Sequence, residues 1–143
     1  MKKNVVLYFI IVLIILSFLI FIHNLDLKEN IQLEYHNVTR IIDGDTFEID
    51  TKEKVRMVCI NTPEIGEEGA KEATEYLRLL VEDKKVGLEK DISETDRYRR
   101  LLRYVYVEYN NELLFVNKEL VSKGHAKIFR YGQDTKRCNE IEG

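Results

Sequence analysis

Asp45, Arg56, Glu64 and Arg100, with Asn61 and Thr62 beside them, carry the functional groups that hydrolysis of a phosphodiester would need. That reaction requires a divalent cation held by hard oxygens, a carboxylate that orients or deprotonates water, and cationic forks for the charge that builds on the phosphoryl oxygens. An arginine fork binds phosphate oxygens in pairs and stays charged, which suits Arg56 and Arg100 to the last task. Singly, each residue has a plainer reading. Asp43 and Asp45 could be turn formers and Arg56 a solvated strand residue. The arginines from Arg97 to Arg103 could be a charged edge that protects a strand, which is the reading kept for Arg99 and Arg103. Only the joint occurrence points to chemistry.

Elements far apart in sequence must bring these groups together. The segment NVTRIIDGDTFEID alternates apolar and polar residues about an Asp-Gly dipeptide, which predicts a hairpin. After a turn at TKEK, VRMVCI predicts a third strand with Arg56, Val58 and Ile60 on one side and Met57 and Cys59 on the other. Pro63, the sole proline, cannot donate to a ladder and ends that strand, leaving Asn61 to Glu64 as an exit loop. In EEGAKEATEYLRLLVEDKK, Ala70, Ala73, Leu77, Leu80 and Val81 recur at helical spacing, so an amphipathic helix is expected. KKVGLEKD then reads as a short strand, DISETDRYR as a loop, and RLLRYVYVEY as a strand. Asn110 and Asn111 predict a turn, Val116 to Lys123 a short helix stopped by Gly124, and AKIFRY an extended segment. Three strands, a helix, two strands and a helix describe a mainly β chain with helices (α+β). They fit a small, partly open OB-type barrel better than a parallel sheet.

At the level of motifs, VTRIIDGDTFEI, VRMVCINTPE, DRYRRLLRYVYV and VNKELVSKGHAKI resemble the staphylococcal (micrococcal) nuclease, or thermonuclease, family over about Asn37 to Tyr131. Asp-Gly-Asp-Thr alone is weak; Arg56, then Asn-Thr-Pro-Glu, then Asp-x-Tyr-x-Arg in that order is a strong joint signal. The resemblance implies a five-stranded OB-fold barrel that cleaves DNA and RNA at the 5′ side of the phosphate, leaves 3′-phosphate products and uses calcium (Ca2+). It also implies Asp45, Asn61 and the Thr62 carbonyl as metal ligands, Glu64 as general base or water-orienting group, and Arg56 and Arg100 as catalytic phosphate-binding arginines. Arg97 and Tyr98 would contact a terminal phosphate and Tyr131 the base.

The chain departs from that family in four places. Asn61 stands where an aspartate is usual, so one negative charge is lost and calcium affinity should fall. Arg99 replaces a usual glycine. The loop after Glu64 is short. The family's last helix is expected to be truncated, with KRCNEIEG as its first turns. A binding module that has lost turnover is therefore the alternative function.

The formal charge of -3 excludes nucleic-acid binding by bulk positive charge, so any such contact must be local. Two cysteines, Cys59 and Cys138, without Cys-x-x-Cys spacing, exclude a zinc cluster or a dense disulfide framework, and could pair or stay free. Val5 to Ile22 contains no charge and no proline; as a helix it would reach roughly 27 Å, about one hydrocarbon core. Lys2 and Lys3 before it, with His23, Asp26 and Glu29 after it, place the amino terminus in the cytoplasm. A signal peptide is the rival, but no small residues follow at a cleavage spacing. The expected organisation is an anchor over 1–23, a linker over 24–34 and a nuclease domain over 35–143, monomeric and outside the cytoplasmic membrane.

Overall fold

The computed structural model describes residues 2–26 and 31–143, with side chains of the first helix described over 7–21. The chain falls into two compact units, 1–31 and 32–143. The first unit contains helix α1, Lys2–Asp26, whose described side chains are all exposed. Among the described residues no helix is long and apolar enough to cross a membrane. The run expected as a membrane segment, Val5 to Ile22, lies within this helix. Of the expected linker, residues 27–30 lie outside the described residues.

In the second unit, β1 (Glu34–Ile41), β2 (Thr46–Ile49) and β3 (Lys54–Met57) form an antiparallel meander. After the short β4 (Ile60–Asn61) come α2 (Ala70–Val81), β5 (Lys85–Glu89) and β6 (Leu101–Tyr109). The sheet order β3-β2-β1-β5-β6 closes on itself through a parallel β3–β6 pairing, giving a five-stranded barrel rather than a partly open one. Its interior holds Phe47, Ile49, Val55, Met57, Val86, Leu88 and Val105, each almost wholly buried. Helix α2 buries Ala70, Ala73, Leu77, Leu80 and Val81, the residues its periodicity predicts.

Asn110 and Asn111 both adopt positive φ, as a two-residue hairpin turn requires, and lead into β7 (Glu112–Phe115), a strand the sequence reading did not include. Helix α3 (Val116–Ser122) follows, then β8 (Lys127–Ile128), paired with β4, and α4 (Cys138–Glu142). The last element is five residues long and buries Cys138 and Ile141. Asn117 of α3 is fully buried; its Oδ1 accepts the Val105 N–H at 2.9 Å and its Nδ2 donates to the Val58 carbonyl at 2.8 Å, joining the helix to β6 and to the end of β3.

Two expectations need correction. The strand VRMVCI does not alternate to its end, because Cys59 has φ 61 and bends the chain between β3 and β4. The residue is bonded to Cys138, so the two cysteines pair and tie α4 to that bend. Arg103 is not a solvated edge residue. It is 3% exposed, paired with Glu94, and donates to the Leu102 and Glu94 carbonyls. Its place on the inner face of β6, beside Leu101 and Val105, forces that pairing, since a buried guanidinium without acceptors is costly.

Candidate active site

The Asp-Gly hairpin positions the first carboxylate. Asp43 Oδ1 accepts the Asp45 N–H at 3.1 Å, folding the turn onto itself. Gly44 is required there by space: a Cβ would lie 2.8 Å from both the Ala73 Cβ and the Thr62 hydroxyl. The turn is thereby pressed against α2 and the exit loop, and Asp45 reaches Thr62, whose N–H and hydroxyl both donate to Oδ2 at 3.1 Å. Thr46 donates to Oδ1 at 3.0 Å.

Arg56 joins the same cluster from β3. Its Nε lies 3.1 Å from Asp45 Oδ1, its Nη2 donates to Asn61 Oδ1 at 2.9 Å, and its Nη1 donates to the carbonyls of Met57 and Ile60. The Asn61 amide in turn donates to the Thr62 carbonyl at 3.2 Å. Burial pushes the Asp45 carboxyl up; Arg56 opposes that shift and Asp43 adds to it, leaving it above the usual range. Burial likewise lowers Arg56, against Asp45 and with Arg100. Both charged forms are thus less comfortable than in water, and the positive charges of Arg56 and Arg100 are close enough to feel one another.

Parallel pairing of Arg56 with Leu102 sets β3 beside the residues that follow Arg100. Asp96, the first residue of the Asp-x-Tyr-x-Arg motif and given no role by the motif reading, fixes Arg100: its Oδ2 accepts Nε and Nη2 at 2.7 Å, and its Oδ1 accepts the Tyr98 and Arg100 N–H groups at 2.9 and 3.0 Å. Burial opposes ionisation of Asp96, yet these hydrogen bonds hold its carboxyl below the ordinary range. The signal was present, as an aspartate four residues before the arginine. Asp134 does similar work from the C-terminal side, accepting the Ile92 and Ser93 N–H groups at 3.0 and 2.8 Å.

All nine residues expected at the site, Asp45, Arg56, Asn61, Thr62, Glu64, Arg97, Tyr98, Arg100 and Tyr131, line one cleft of about 510 Å³. Glu64 is exposed on its rim, where its backbone is fixed by Glu67. Tyr98 lies under the Arg97 and Arg100 guanidinium groups, 4.8 and 5.4 Å from its ring centre. Tyr131 is 76% exposed and parallel to Phe129, a further lining residue that the sequence reading missed. Among the described residues no three His, Cys, Asp or Glu side chains gather as a metal-ligating group.

Residues 54–142, which include both arginines, Glu64 and the strands that carry them, match the staphylococcal nuclease homologue family. The chain belongs to that family. Thermonuclease of Staphylococcus hyicus is 32% identical over 122 residues, covering 79% of this chain and 70% of that protein. Thermonuclease of Staphylococcus intermedius is 31% identical, covering 72% and 64%, and endonuclease YncB of Bacillus subtilis 35% identical, covering 73% and 54%. The chain thus spans between about half and seven-tenths of these relatives. As a staphylococcal nuclease homologue it is a nuclease by family, and its closed five-stranded barrel is the fold that the motifs imply.

Proposed function

We propose that this staphylococcal nuclease homologue hydrolyses phosphodiester bonds in DNA and RNA with calcium, leaving 3′-phosphate ends. The observation that carries this reading is the convergence of Asp45, Arg56, Glu64 and Arg100 on one cleft from four separate parts of the chain. The donor set fits a hard cation in kind: the Asp45 carboxylate, the Asn61 amide oxygen and the Thr62 carbonyl are all oxygens, joined by the hydrogen bonds described above. It fits weakly in charge, since Asp45 is the only carboxylate among the three. Calcium bound there would polarise a phosphoryl oxygen and make a nearby water more acidic. Arg100, already aimed by Asp96, neutralises phosphate charge as the bond breaks, and Arg56 adds a second fixed positive charge inside the cleft. Glu64 on the rim takes the proton of the attacking water. Arg97 and Tyr98 hold a terminal phosphate, and Tyr131 offers its exposed ring to a base, where stacking tolerates any base.

A binding module without turnover is the second reading. Asn61 favours it, because its oxygen is engaged by Arg56 and its amide hydrogens face the Thr62 carbonyl. Incubating the folded protein with DNA and with RNA, in millimolar calcium or in chelator, separates the two. The enzyme reading expects cleavage with calcium only and its loss in Glu64→Gln. A folded sample that binds but never cleaves would leave the module.

We further propose that the apolar run Val5 to Ile22 anchors a monomeric domain outside the cytoplasmic membrane. Its charge asymmetry and lack of a cleavage spacing support this. Release of the full chain from membranes by alkaline carbonate would count against it.

A further inference from the structure

The turn from Asp96 to Arg100 is tightly determined. Besides the Asp96 side-chain bonds, the Asp96 carbonyl accepts the Arg99 N–H at 3.0 Å, and the turn closes with Arg99 at φ 62. A residue with a Cβ adopts that left-handed conformation only at a cost, and strain of this kind persists where the surroundings impose it, often at ligand clamps.

The charges on this turn are not balanced. Asp96 neutralises Arg100, while Glu94 serves Lys90 and Arg103. Arg97 contacts the Tyr98 ring and hydroxyl, and neither it nor Arg99 has a carboxylate partner among the described residues. Arg97, Tyr98 and Arg99 are exposed in succession. Two of the three line the cleft; Arg99 does not. A cation, an aromatic ring and a second cation in series are what holds single-stranded nucleic acid, by phosphate contact and stacking. In a chain of net charge -3, such a track must be local to attract a polyanion at all.

We propose that Arg99 is a further substrate-binding residue, taking a backbone phosphate of a polynucleotide strand that runs on beyond the cleft. The turn would then favour long strands over short ones. This rests on the nuclease reading of the cleft but concerns a position outside it, and it is tested without turnover.

The test is the affinity of the full chain, in detergent and chelator, for a fluorescent long single strand and for a labelled dinucleotide, each over a range of salt. Arg99→Gln should lower the slope of log affinity against log salt for the long strand by about 0.7, the value for one single-strand phosphate contact. Dinucleotide binding should be unchanged. Arg99→Lys should keep the slope, and Arg99→Gly should lose it while raising thermal stability. A long-strand slope in Arg99→Gln equal to that of the wild type would overturn the proposal, as would an equal loss on the dinucleotide. Failure of the nuclease reading would appear separately, as absence of cleavage in calcium.

Discussion

Two buried carboxylate–arginine pairs in this barrel invite comparison: Asp45 with Arg56 in the cleft, and Glu89 with Arg137 at the end of β5. Both acids are about equally hidden, 5% and 3% exposed. Burial is the largest influence on each, and it pushes each carboxyl up. For Glu89 it is outweighed. Arg137 donates from Nε at 3.1 Å and Nη2 at 2.9 Å, Lys136 at 3.1 Å and the Tyr106 hydroxyl at 2.9 Å, and the carboxyl ends below its usual range. Asp45 accepts from Thr46, from the Thr62 N–H and hydroxyl, and from Arg56; only Arg56 is cationic, it is shared with Asn61, and Asp43 adds a like charge nearby. The difference lies in charge rather than in hydrogen-bond number. Glu89 belongs to a cluster rich in cationic donors; Asp45 belongs to one with a single cationic donor, where the proposed calcium would add positive charge.

Breaking the Glu89 cluster should have the largest effect on folding. Glu89→Gln removes the buried anion that Arg137 and Lys136 share, leaving Arg137 the exposed Glu140 at 3.5 Å, and a loss of about 3–5 kcal/mol is expected at neutral pH, measured by denaturant unfolding. The sign of its pH dependence follows from the lowered carboxyl. Its stabilisation is complete above the unfolded-state range of glutamate and is lost as pH falls through the folded value. The gap between wild type and Glu89→Gln should therefore close in acid and be widest above that range.

On the cleft side the effect should fall on rate instead. Arg100→Ala should reduce turnover by about 10²–10³-fold while altering stability by less than ~1 kcal/mol, since its ion pair is partly exposed. Equal losses of rate and stability would erase the contrast between the two regions.

The disulfide tests a connection between them. It joins Cys138, beside Arg137, to the bend at Cys59 that precedes Asn61. Reduction by a dithiol should cost roughly 2–4 kcal/mol, read as a fall in thermal midpoint. The smallest effect is a gain: Arg99→Gly should stabilise the domain by about 1 kcal/mol, because φ 62 no longer strains a side chain.

How much of this was legible in the sequence depended on whether a feature is local. The buried face of α2 follows from a 3.6-residue period, and the Asn110–Asn111 turn from two residues that tolerate positive φ. The nine cleft residues could be named because motif order was enough to select them. The bend at Cys59 was not legible, since alternation says nothing about a left-handed residue fixed by a bond to Cys138 and by Asn117 on the Val58 carbonyl. Arg103 was misread for the same reason: its acceptors lie on a loop that only the folded chain brings near. Closure of the barrel depends on a parallel β3–β6 pairing between strands more than forty residues apart, which no local pattern encodes.

Calcium at Asp45 is what the proposed function most depends on. Calcium titrated calorimetrically into the full chain tests this most directly. A single weak site is expected, abolished by Asp45→Ala, tightened by Asn61→Asp and retained in Arg100→Ala. Calcium binding that survives Asp45→Ala, or that ignores Asn61→Asp, would contradict the account.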